Sequence, residues 1–175
     1  LNGLAKRSFV FENCYVSQPV CSPSRATMLA GLYPHSAGVP RCNVPLSADI
    51  PTIAELVDPT YRRAWFGKWH LGDEIFPQHG FDEWTGSEDS YRRHYSSPER
   101  HKTLSPYHHF LIDKGLTPNS ESFGQKVFSR HFEASLAEPL TKASFLGARA
   151  ADFIRGVGDD PFVACVSYLE PHPPH

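Results

Sequence analysis

Hydrophobic and polar positions change period along this chain, from two to 3.6 and back, and each change marks an element. Phe9 to Val16 is rich in aromatic and β-branched residues and reads as a strand that Gln18-Pro19 breaks. A helix follows from Cys21: Pro23 suits a first turn, where its missing N–H had no partner to lose, and Gly31 suits the stop. Thr52 can cap a short helix over Ile53 to Val57, which Asp58-Pro59 ends, and Tyr61 to Phe66 reads as a strand stopped by Gly67. Phe110 to Leu116 reads as a short helix ending at Gly115. Apolar positions 143, 146, 150, 153 and 157 mark one face of a helix from about Thr141 to Gly156. Gly158-Asp159-Asp160-Pro161 then turns into an uninterrupted apolar strand that runs from Pro161 through Leu169. Such runs belong to parallel strands covered on both faces, so the expected class is α/β, with a mostly parallel central sheet flanked by helices.

Composition narrows the classes. The 175 residues are 40% hydrophobic and 13% aromatic, enough to bury a core as one domain or as part of a larger one. Seventeen basic against nineteen acidic residues leave a formal charge of −2, so no large basic field points to nucleic acid or an anionic membrane as partner. No apolar run has the length of a membrane span, and no signal peptide opens the chain. The first residue is Leu1, the only methionine is Met28, and His175 follows directly on the last strand, so both ends read as cuts in a longer chain. The four cysteines are too sparse for a disulfide scaffold, and their spacing matches no zinc site. Cys165, inside Phe162-Val163-Ala164-Cys165-Val166, reads as a buried, inert thiol, and Cys14 reads the same way. Cys42 follows Arg41 in a loop and is free, paired or irrelevant.

The most informative stretch is Cys21-Ser22-Pro23-Ser24-Arg25, running on as Ala26-Thr27-Met28-Leu29-Ala30-Gly31. It puts a thiol at the mouth of a helix and an arginine one turn in. Unpaired N–H groups and the dipole give that end a partial positive charge, and Arg25 adds a permanent forked one, which suits a tetrahedral oxyanion such as sulfate or phosphate. Cys21, the Lys68/His70 pair and His172 each lie shortly after the carboxyl end of a different expected strand. Ligands of open α/β sheets bind in the crevice beyond those ends, so three distant segments are expected to meet at one pocket.

Cys-x-Pro-Ser-Arg followed by a hydrophobic pair and Gly resembles the signature of the type I sulfatases, in which that cysteine is oxidised to Cα-formylglycine. Gly67-Lys68-Trp69-His70-Leu71-Gly72 and Gln78-His79-Gly80-Phe81-Asp82-Glu83-Trp84 are similar to the family's second stretch. Pro161 to Leu169, with Glu170-Pro171-His172-Pro173-Pro174-His175, is similar to its later strand and histidine loop. The resemblance covers about residues 9–86 and 141–175. It implies part of an alkaline-phosphatase-like sandwich: residues 1–175 would be a partial catalytic domain, with 87–140 a variable insertion that shapes the substrate pocket.

The same resemblance implies a sulfuric ester hydrolase acting on sulfate monoesters of small molecules or glycans. Its alternatives are a phosphate or phosphonate monoester hydrolase of the same superfamily and a non-catalytic remnant. Carried over, Cys21 becomes the formylglycine nucleophile and a metal ligand, and Arg25 orients its hydroxylates. Lys68 binds sulfate oxygens, His70 assists the formylglycine hydroxyl, and His172 faces the leaving-group oxygen or the sulfate as donor or general acid. One geminal hydroxyl would attack sulfur and expel the alcohol, and the other would drive out sulfate as the aldehyde reforms. The resemblance also implies a divalent metal, Ca2+ before others, whose remaining carboxylate ligands lie outside this stretch, so the stretch alone is expected to be inactive. A formylglycine-generating or radical maturation enzyme would be a partner, and export to a periplasm, lysosome or exterior would be usual.

Not every polar residue is assigned. His35 is left as a turn residue and His175 is discounted first among the terminal histidines. Tyr91-Arg92-Arg93-His94, with Arg100, His101, Lys102, His108 and His109, is basic and aromatic, and fits either a sulfated-glycan pocket or a solvated insertion.

Overall fold

A computed structural model describes residues 2–118, 121–122, 125–126 and 135–172. In chain order the helices and strands are α1 (Asn2–Ala5), α2 (Cys21–Ala30), α3 (Ile53–Leu56), β1 (Arg62–Gly67), β2 (Glu83–Thr85), α4 (Pro106–Asp113), a two-stranded pair β3 (Glu121–Ser122) and β4 (Gln125–Lys126), α5 (Lys142–Val157) and β5 (Phe162–Ser167). The main sheet has the order β2-β1-β5, with both pairings parallel. Ala64 stands opposite Glu83 on one side and Ala164 on the other, so all three strands deliver their carboxyl ends to the same edge.

The alternation of a strand explains the two cores. Trp65 points to one face, where it packs with Trp69, Phe81, Leu71 and the α2 residues Ala26 and Leu29. Ala64 and Phe66 point to the other, against Leu146, Ala150 and Phe153 of α5 and Tyr107 and Leu111 of α4. Helices thus cover both faces of β1, as the α/β reading requires. Large side chains such as Trp65 and Leu146 are fully buried, each stabilising the fold by roughly 1.5–3 kcal/mol. A second ordering contact crosses the insertion: Lys142 at the start of α5 pairs with Glu88, both buried.

Several sequence expectations need correction. Residues 9–16 form no strand: the segment runs without ladder partners among the described residues, and Phe9, Phe11 and Tyr15 are exposed. High β-propensity reports fitness for a pleated, half-buried surface, and no such surface is offered there. Cys14, expected to be buried, is exposed for the same reason. β5 is not covered on both faces, since Phe162 and Val166 are exposed, and Cys165 is half-buried rather than sealed. The α4 helix begins four residues earlier than expected, because Ser105 caps it, accepting from the His108 N–H at 3.1 Å, and Pro106 occupies its first turn.

Other boundaries shift by a residue or two. The helix after Thr52 stops at Leu56, with the Glu55 carboxylate reaching back to accept the Thr52 N–H at 2.8 Å. The strand expected over Tyr61 to Phe66 is β1, and the helix expected from Thr141 is α5, capped by Thr141. His175 lies outside the described residues.

Candidate active site

The α2 helix divides its residues cleanly between core and cleft. Ser22, Pro23, Ala26 and Leu29 are buried, while Cys21, Ser24, Arg25 and Met28 line a cleft of about 640 Å³ beyond the carboxyl ends of β1 and β5. Those four positions follow the i, i+3, i+4, i+7 spacing of one helix face. The helix starts at Cys21 because Val20 is extended, and it stops at Gly31, whose left-handed φ of 69° lets its N–H reach the Thr27 carbonyl at 2.9 Å.

Arg25 joins three elements. Its Nη1 donates to the Lys68 carbonyl at 2.7 Å and to Ser167 Oγ at 2.9 Å, tying α2 to the ends of both strands. Gly67 makes this approach possible: at φ +98° a Cβ there would stand 2.1 Å from the Ser167 carbonyl oxygen. Burial pushes the Arg25 guanidinium down, against the opposing pull of Glu74 and Cys21.

Lys68 is buried, with Nζ 5.5 Å from the centre of the Tyr91 ring. Burial lowers its pKa, and Arg25 adds to that effect while the Cys21 sulfur and the Glu88 and Glu74 carboxylates oppose it. An ammonium in this setting lacks full hydration, so an arriving oxyanion replaces little water around it.

His70 sits in a tight turn with φ +60°, a conformation uncommon outside glycine. What holds it there is Glu74, a wholly buried carboxylate that accepts the N–H groups of Trp69 and His70, each at 2.6 Å. Ser22 Oγ donates to the His70 carbonyl at 2.8 Å, and the ring lies against Tyr91, centroids 4.0 Å apart. His70 Nε2 meets Asn43 Oδ1 at 2.9 Å. Burial raises the Glu74 carboxyl to about 7, although its two N–H bonds pull the other way.

Of the residues singled out from sequence, Cys21, Arg25, Lys68 and His172 line the one cleft. His172 is exposed on the segment after β5, its backbone N–H donating to the Leu169 carbonyl at 3.0 Å. His70 does not line the cleft, and its ring lies behind it, beside Cys21 and Cys42. Sequence reasoning missed Glu74, Ser22, Asn43 and Ser167, and named Tyr91 only as part of a basic, aromatic stretch. Only Ser167, at a strand's carboxyl end, carried a positional signal; Glu74 in Gly72-Asp73-Glu74 looks like ordinary loop polarity.

Solved structures share this fold over most of the chain. A phosphonate monoester hydrolase from Silicibacter pomeroyi superposes with a TM-score of 0.60 at 21% identity, covering 88% of this chain and 32% of that one. The structure of Ps i-CgsB in complex with k-i-k-neocarrahexaose gives 0.55 at 26% identity, covering 91% and 36%. The chain belongs to the Sulfatase family, whose model matches residues 1–175. Curated relatives include an uncharacterized sulfatase, YidJ, of Escherichia coli K12, 29% identical over 99% of this chain and 33% of its own length. The N-acetylgalactosamine-6-sulfatase of Homo sapiens is 32% identical over 57% of this chain and 22% of its own. An ulvan-active sulfatase of Formosa agariphila is 28% identical over 100% and 30%. The chain therefore spans about a third or less of the curated relatives it matches.

Membership implies in general a divalent metal and a formylglycine. The donors gathered here do not fit a hard cation, which takes six or more oxygen ligands. Among the described residues the only set of three potential ligands is Cys21, Cys42 and His70, two sulfurs and an imidazole.

Proposed function

We propose that the full-length protein is a sulfuric ester hydrolase whose nucleophile derives from Cys21 by conversion to formylglycine. The observation that carries this reading is the meeting of Cys21, Arg25 and Lys68 in one cleft at a helix N-terminus, in a chain that fits the Sulfatase family along its whole length. As an aldehyde hydrate, Cys21 would supply a nucleophilic hydroxyl that a plain thiol cannot, because a thiol would leave a stable adduct on sulfur. Lys68 binds the sulfate oxygens from its partly dehydrated position. Arg25 fixes the distance between the helix mouth and the two strand ends, and its charge favours the anion. His172 comes from the open side, toward the leaving-group oxygen.

The substrate class is proposed as sulfated carbohydrate. The relatives named for N-acetylgalactosamine-6-sulfate and ulvan support it, as does the placement of the insertion: Tyr91, within residues 87–140, touches both Lys68 and His70. In this reading the segment acts on the pocket from behind, through the Tyr91 ring against Lys68 and His70. Ca2+ is the metal proposed for the complete enzyme, held by carboxylates that the described residues do not supply.

The test is the mass of the Cys21 peptide from full-length protein of its native host, after reduction and alkylation. A peptide lighter than cysteine, unalkylated and trapped by a hydrazine, supports the reading; an alkylated, unmodified Cys21 sinks it. Parallel assays on sulfate, phosphate and phosphonate monoesters separate the second reading, which the phosphonate hydrolase fold match favours.

A further inference from the structure

We propose that, before Cys21 is converted, Cys21, Cys42 and His70 form a binding site for a thiophilic divalent cation, Zn2+ being the type. One ligand atom from each residue lies within 4.8 Å of the other two, although the residues come from the head of α2, a loop and the turn after β1. A tetrahedral Zn2+ with Zn–S near 2.3 Å and Zn–N near 2.0–2.1 Å spaces its ligands about 3.5–3.8 Å apart. Closing the cluster onto an ion thus takes about 1 Å of movement, which side-chain torsions of two half-buried cysteines supply.

Two further observations point the cluster at a soft cation. Asn43 Oδ1, an acceptor, lies 2.9 Å from His70 Nε2 and favours the ring tautomer protonated there. That is the outer-shell bond by which ligating histidines are oriented and made more basic. The backbone of His70 is held as firmly, by Glu74 at its N–H and Ser22 at its carbonyl. Cys21 also lines the open cleft, so the fourth position would belong to water or an anion. Two thiolates and a neutral imidazole cancel the charge of a divalent ion, which offsets the repulsion from nearby Arg25 and Lys68.

Metal binding releases the two thiol protons and forms two S–metal bonds and one N–metal bond, with no redox change. Conversion of Cys21 removes a ligand, so cation and maturation compete for one sulfur. The proposal concerns the unconverted chain and does not depend on which ester the converted enzyme hydrolyses.

The experiment uses full-length protein made without a maturation enzyme, shown by mass to carry unmodified Cys21, and reduced with a non-chelating phosphine. Titration with Co2+ is expected to give near-ultraviolet sulfur-to-cobalt absorption that saturates at one equivalent and is abolished by Zn2+. Cys42→Ser is expected to remove that absorption and to weaken Zn2+ binding by more than about 10-fold, the low end of what even an outer-shell loss costs. In the unsubstituted protein, Zn2+ should slow alkylation of both Cys21 and Cys42 while leaving exposed Cys14 reactive, a readout that needs no variant. Absence of the absorption band, its persistence in folded Cys42→Ser, or alkylation of Cys42 unaffected by Zn2+ would each overturn the proposal.

Discussion

Two segments leave neighbouring parallel strands at the same edge of the sheet, and they are built in opposite ways. The one after β1 carries Lys68, Trp69, His70, Leu71 and Glu74, all buried, with the turn locked by a carboxylate on two N–H groups. The one after β5 carries Tyr168 and His172, both exposed. The cleft therefore has a fixed wall and an open wall. A fixed wall suits groups that must meet charge at one distance, because a preorganised donor costs no reorganisation when charge develops. An open wall suits contact with leaving groups of differing shape.

The largest expected effect is on the fixed wall. In the complete enzyme Lys68→Ala should lower kcat/KM for a sulfate ester by roughly a hundredfold or more, about 3 kcal/mol of transition-state stabilisation. Steady-state kinetics on the folded variant check it, and an unchanged kcat/KM would show that Lys68 is a packed residue beneath Tyr91 only. The next effect is on stability. Glu74 ionises near 4.5 when unfolded and near 7 when folded, so between those values the folded chain keeps a proton that the unfolded chain has lost. Its contribution is full below about 4.5 and is lost as pH rises through 7, a change of about 3 kcal/mol. Denaturant midpoints at pH 5 and 8 should show this decline in the parent protein. In Glu74→Gln the decline should flatten, while one of the two N–H bonds is given up at every pH. Equal pH dependence in both proteins would mean that Glu74 is ionised throughout.

Much of the arrangement was legible before any coordinates, and the pattern of misses is physical. The elements that formed as expected, α2, β1 and α5, combine a local stop signal with a face that finds a core, as at Gly31, Gly67 and the apolar stripe through Phe153. Residues 9–16 have the propensity of a strand without the partner, and a strand is a statement about neighbours. The cleft was legible because topology carries strand ends to one edge, which brought Cys21, Arg25, Lys68 and His172 together across most of the chain. Glu74 and Ser22 were not legible, because their work is to satisfy backbone groups of a turn whose shape no residue type announces. Cys42 was read correctly as a loop residue, yet its nearness to Cys21 depends on how that loop returns over α2.

The smallest expected effect tests the open wall. His172 is exposed on the segment after β5, where its backbone N–H donates to the Leu169 carbonyl. A single hydrogen bond from such a group to a developing charge is worth about 1.5 kcal/mol, close to tenfold in rate. His172→Ala should therefore cost about tenfold in kcat/KM on an aryl sulfate with a good leaving group, well below the loss at Lys68. On a sugar sulfate, whose poor leaving group needs a proton, the loss should be larger. A loss on the aryl sulfate as great as that of Lys68→Ala would place His172 on a wall as fixed as the first, and the division of the cleft into two unlike halves would fail.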